Sequence, residues 1–106
     1  MDHYQALLQR AAATVSAAAQ ACRDWEDGGD TEPVSDTAWE ADGATTEAME
    51  AVAGIDPTLA LDGYPESRVG RLVLAARLLV MAGIDEGGRS EDLSVAATLY
   101  TIAGQT

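Results

Sequence analysis

Lysine, asparagine and phenylalanine are absent from this chain, and cysteine and histidine occur once each. These absences remove several kinds of chemistry. A single cysteine, Cys22, allows neither an internal disulfide nor a cysteine-based zinc site. His3 stands 19 positions before Cys22 in a stretch that reads as one helix, which separates the two by about 28 Å at 1.5 Å per residue. A Cys–His dyad within the chain is thereby excluded, and a Ser–His–acid triad would depend on a histidine at a fraying terminus. Without a lysine, GYPESRVGR at 63–71 has neither the residue nor the glycine spacing of a phosphate-cradling loop. DWEDGGDTE at 24–32 misses the EF-hand pattern, because glycine falls where the third oxygen ligand belongs. No Asp-Ser pair precedes a helix to carry a prosthetic arm. The sequence calls for no metal and no cofactor, and its expected class is non-enzymatic.

Basic residues are also scarce. Six arginines face eighteen acids, for a formal charge of −12. That balance opposes binding to nucleic acid and to anionic membranes, and favours a basic partner. Long apolar runs are missing too. The longest, Val69 to Ile84, holds Arg71 and Arg77 and is too short and too charged to span a bilayer. MDHYQALLQR at the start lacks the basic and apolar regions of a secretory leader. A cytoplasmic protein is the expectation.

The chain has 21 alanines, a bias that suggests a GC-rich prokaryotic or phage genome. A single domain spanning 1–106 can bury roughly two thirds of its unfolded surface. Leu, Ile and Val number 5 in residues 1–53 and 15 in 54–106, so the first half must pack closely through alanine. Acids cluster as well. Residues 24–50 hold ten of them and no arginine. A halophile's coat is spread evenly, whereas a binding surface is a patch, and the clustering favours the patch.

Periodicity predicts four helices, at 3–25, 37–53, 66–82 and 91–103, with an acidic loop at 26–36. In the first, Tyr4, Leu7, Leu8, Ala11, Val15, Ala18, Cys22 and Trp25 share one face. The second opens on a Thr37–Glu40 capping box. Its inner face is Ala38, Ala41, Thr45, Ala48, Met49 and Val52, provided that it passes Gly43 unbroken. Trp39 then points outwards among carboxylates; a break at Gly43 would instead fold it into the core. AGID occurs twice, at 53–56 and 82–85. Both copies read as helix endings, with Gly54 and Gly83 left-handed and Ile55 and Ile84 folded back on the last turn. Asp56-Pro57 would open a short turn through Leu61. Ser90 caps the fourth helix, with Glu91 and Asp92 at its positive end. The architecture expected is all-α: a small antiparallel bundle of about four helices.

Two surfaces follow. Trp39, with Asp36, Glu40, Asp42, Glu47 and Glu50, forms an aromatic anchor ringed by acids, suited to a basic protein such as the target of an inhibitor, an immunity protein or an antitoxin. The third and fourth helices each carry a second apolar face: Leu74, Leu78 and Met81, and Val95, Leu99 and Ile102. A bundle this small can hardly enclose both. Either a second copy covers them or residues 56–64 do, and the first makes the chain a homodimer. The alternative function is accordingly a homo-oligomeric structural or assembly subunit.

Overall fold

Four helices make up the computed structural model, which describes residues 3–26, 35–56, 65, 67–85 and 90–105. They are α1 (His3–Glu26), α2 (Ser35–Ala53), α3 (Arg68–Asp85) and α4 (Ser90–Gly104). No strand occurs among the described residues. α1 packs on α4 and α2, and α3 packs on α4 and, less extensively, on α2, so the helices form a closed ring about one core. The molecule measures 43 × 27 × 19 Å.

The core is built from the stripes that periodicity marks. Leu8, Ala11, Val15, Ala18, Ala19 and Cys22 of α1 are buried, as are Ala41, Ala44, Ala48 and Val52 of α2. Val69, Val73, Ala76 and Val80 come from α3, and Leu93, Ala96, Tyr100 and Ala103 from α4. Tyr4, Leu7 and Met49 pack against the cluster from its margin. Alanine dominates the α1–α2 side, which lets those helices approach closely. The side chains of Trp25 and Ala38 lie outside the described set.

Helix limits differ from the expected ones, for identifiable reasons. α2 begins two residues early, so Thr37 lies inside the helix and is not its cap. Ser35 and Asp36 open a helix as readily, and an acid in the first turn gains from the dipole. The first AGID does end α2, but not as expected. Gly54 avoids the left-handed backbone, and its amide bonds to the carbonyls of Glu50 and Ala51 at 3.2 Å. Ile55 is 55% exposed and does not fold back. Proline at 57 supplies the stop, because it disfavours helical backbone at the residue before it. The second AGID forms the last turn of α3 and does not follow it: the helix runs through Gly83 and Ile84 to Asp85, three residues past the expected end. A glycine permits a helix to end without compelling it, and one inside costs about 1 kcal/mol, which an apolar face readily offsets. The expected turn at 57–61, the loop at 86–89 and most of the acidic loop fall outside the described residues.

α3 starts on a three-residue clasp. The Ser67 hydroxyl accepts the Gly70 amide at 3.0 Å, as an N-cap does, and donates to the Asp56 carboxylate. That carboxylate also accepts the Ser67 amide at 3.0 Å. Asp56 thus fills, from the end of α2, the place that a glutamate at position 70 would hold in a capping box. Gly70 makes room for it: a Cβ there would collide with the Asp56 carboxylate and stand 2.9 Å from the Ser67 hydroxyl. The clasp brings the end of α2 to the start of α3 and fixes the two as antiparallel neighbours.

Candidate functional site

α2 is a continuous helix through Gly43. Continuity decides where Trp39 goes: its side chain is 72% exposed. Ala41, Ala44, Thr45, Ala48 and Val52 take the inner positions, so residues at the complementary spacing face solvent. Trp39, Gly43, Glu47 and Glu50 form this outer row, with Glu40 beside them, all exposed. Asp36 belongs to the first turn of α2, with its side chain outside the described set. Nothing stands within 4 Å of where a Gly43 side chain would begin, which leaves an open notch one turn beyond Trp39.

Arginines from both neighbours flank the row. Arg10 of α1 meets Glu47 at 3.1 Å, with both side chains more than half exposed, a pair worth about 0–1 kcal/mol. Arg77 of α3 meets Asp42 at 3.0 Å and is only 18% exposed. One Nη of Arg77 also donates to Thr45 Oγ1 and, at 3.4 Å, to the Asp42 carbonyl. Thr45 is fully buried, and its hydroxyl donates to the same carbonyl at 3.0 Å. Glu40 and Glu50 make no ion pair among the described residues. Of the six residues that the sequence singles out here, two carboxylates are therefore held by internal arginines. Sequence reasoning missed Arg10 and Arg77, because no local spacing marks a pairing between helices.

Behind Arg77 and Thr45 lies Tyr100, fully buried. Its hydroxyl lies near enough to feel both groups yet meets neither with hydrogen-bond geometry, and it is without a partner among the described residues. Burial pushes its pKa up to about 12, against opposing pulls from Arg77 and Thr45.

The second apolar faces are only partly covered. Leu74 and Leu99 are half-buried against the core, and Ile102 is half-buried. Leu78, Met81 and Val95 remain 60%, 46% and 47% exposed. α1 is unbroken between His3 and Cys22, and Cys22 is buried. Shallow depressions open on the surface of the described residues. One, between α1 and α4, is lined by alanine, serine and threonine with Arg23. Another holds His3 and Leu7 beside Glu47, Glu50 and Ala51. Among the described residues no three His, Cys, Asp or Glu side chains gather as metal ligands, and no helix is long and apolar enough to cross a membrane.

Comparison of the chain with family models, curated proteins and solved structures finds no match.

Proposed function

We propose that this chain is a non-enzymatic protein-binding module that takes a basic partner on the outer face of α2, in the manner of an inhibitor, immunity protein or antitoxin. The observation that carries the reading is Trp39: a tryptophan 72% exposed on a rigid helix, with Glu40 and Glu50 on the same side. A large aromatic left in water costs solubility and returns affinity only when a partner covers it. The carboxylates around it raise the encounter rate with a positive surface and disfavour nucleic acid. A second reading, a homo-oligomeric assembly subunit, is favoured by exposed Leu78, Met81 and Val95.

The test is a low-salt pull-down from native lysate, eluted by a salt gradient, with wild type and a Trp39→Ala/Glu50→Arg double variant. Glu50 is the better acid to reverse, because Glu47 is tied to Arg10. Wild type should retain a basic protein that moderate salt releases, and the double variant should lose it while its helical circular dichroism is unchanged. Equal retention by both proteins refutes the assigned face.

A further inference from the structure

The helices α2 and α3 carry net charge of opposite sign. α2 carries five acids (Asp36, Glu40, Asp42, Glu47, Glu50) and no base, a charge of −5. α3 carries Arg68, Arg71 and Arg77 against Asp85 alone, +3 − 1 = +2. The two helices are antiparallel neighbours. Arg77 lies level with Asp42 and Thr45, and the clasp joins Asp56 to Ser67 at one end. Counting outwards from Arg77 at equal rise per residue sets the heights. Trp39 is level with Met81, Gly43 with Leu78, Thr46 with Leu74, and Glu50 with Arg71. On α2 these recur at spacings of four, three and four, and on α3 at three, four and three, so each set is one row along its helix.

The geometry points to a second copy of this chain as an occupant of this face, in a symmetric dimer. This inference rests on reading the outer face of α2 as a binding surface. A two-fold axis lying in the α2–α3 face and running along the helices lays α2 of each copy over α3 of the other, at the same height. Trp39 then meets Met81 of the second copy. Leu78 of the second copy faces Gly43, where the missing side chain leaves space. Glu50 meets Arg71 of the second copy, whose Nε is already fixed by the Pro65 carbonyl at 3.1 Å. Trp39 covers an apolar side chain, Leu78 faces a glycine, opposite charges face each other, and the operation repeats every contact twice. Of the five large hydrophobic residues exposed among the described ones, Trp39, Leu78 and Met81 leave water together. A foreign basic partner of the same face would have to displace the second copy.

The test is sedimentation equilibrium from micromolar to several hundred micromolar protein, at about 0.15 M salt, where the Debye length is about 8 Å. Wild type should show a reversible monomer–dimer equilibrium. Glu50→Arg alone sets arginine against arginine in both symmetry-related pairs, and Arg71→Glu alone sets glutamate against glutamate. Each should weaken self-association roughly tenfold or more. An equimolar mixture of the two variants restores both pairs, one with reversed sign and one with its native sign, and should dimerise again, which also shows that both fold. Leu78→Glu should be monomeric with unchanged helical content, since the side chain is exposed. A wild-type monomer at every concentration overturns the proposal. So does a dimer indifferent to both reversals, or a mixture that fails to re-associate. The pull-down with Trp39→Ala/Glu50→Arg judges the binding face separately: a monomeric wild type that still holds a basic partner through Trp39 keeps the face and removes the second copy from it.

Discussion

The hydroxyl of Tyr100 is a costly group to hold in the core. It is buried, lacks a partner among the described residues, and sits beside a threonine whose own hydrogen is given to the Asp42 carbonyl. An unsatisfied buried hydroxyl costs about 1–3 kcal/mol, so removing it should be favourable. Tyr100→Phe should stabilise the fold by roughly 1 kcal/mol in urea denaturation at neutral pH. The same group should also make the fold sensitive to alkali. Below about pH 10 the phenol is protonated in both the folded and the unfolded chain and contributes no pH dependence. Between 10 and about 12 the unfolded chain has lost the proton and the folded chain retains it, so stability falls as pH rises. At about 1.4 kcal/mol per pKa unit, the loss should come to roughly 2–3 kcal/mol. Tyr100→Phe should abolish this component, and equal alkaline losses in the two proteins would contradict the assignment. The sequence marks Tyr100 as core through its spacing with Leu93, Ala96 and Ala97. It places Thr45 on the inner face of α2 but does not bring it or Arg77 to Tyr100, because the two arrive from two other helices.

Helices were legible in the sequence where burial writes a pattern, and less so where they end. The apolar rows of α1 and α2 are the ones expected, because a stripe of alanines and aliphatics has no other stable use in water. The two AGID copies show the limit. In one copy the helix stops at the alanine and in the other it runs on through the aspartate, and the four letters are identical. What differs is outside them: proline follows the first copy and disfavours helical backbone at Asp56, and glutamate follows the second. Glycine is similarly decided by its surroundings. Gly43 has open space around its missing side chain, so Gly43→Ala should stabilise α2 by about 0.5–1 kcal/mol. Gly70→Ala makes the same local gain, but its methyl group would enter the space held by the Asp56 carboxylate. Breaking a hydrogen bond to a charged group costs about 1.5–3 kcal/mol, so this variant should be less stable than wild type. Urea midpoints measured at low micromolar protein decide both, and a stabilised Gly70→Ala would show that the clasp yields cheaply. For the candidate site, the outward Trp39 was one of two conformations left open. The choice required knowing that α2 does not break.

At the scale of the molecule, charge and shape are arranged unequally. The acids that make the chain −12 gather on and before α2, while half of the arginines lie on α3. Bundle architecture follows from the number and length of the helices. Which face meets which does not, since that needs the heights at which α2 and α3 are pinned. Those heights are set by Arg77 in the middle and by the clasp at one end.

The clasp has one more consequence. Asp56 and Ser67 meet through two hydrogen bonds, so the ten residues between them close a ring whose ends are held whatever lies inside. Enlarging such a ring costs little: each doubling of its length adds about 0.6 kcal/mol of closure entropy. A short polar epitope or a fluorophore-bearing tag spliced into this ring should leave the melting curve nearly unchanged. The same insertion should become destabilising once Asp56→Ala opens the ring. The α2–α3 connection is thus the natural docking port for anyone who needs a handle on this protein without disturbing its faces.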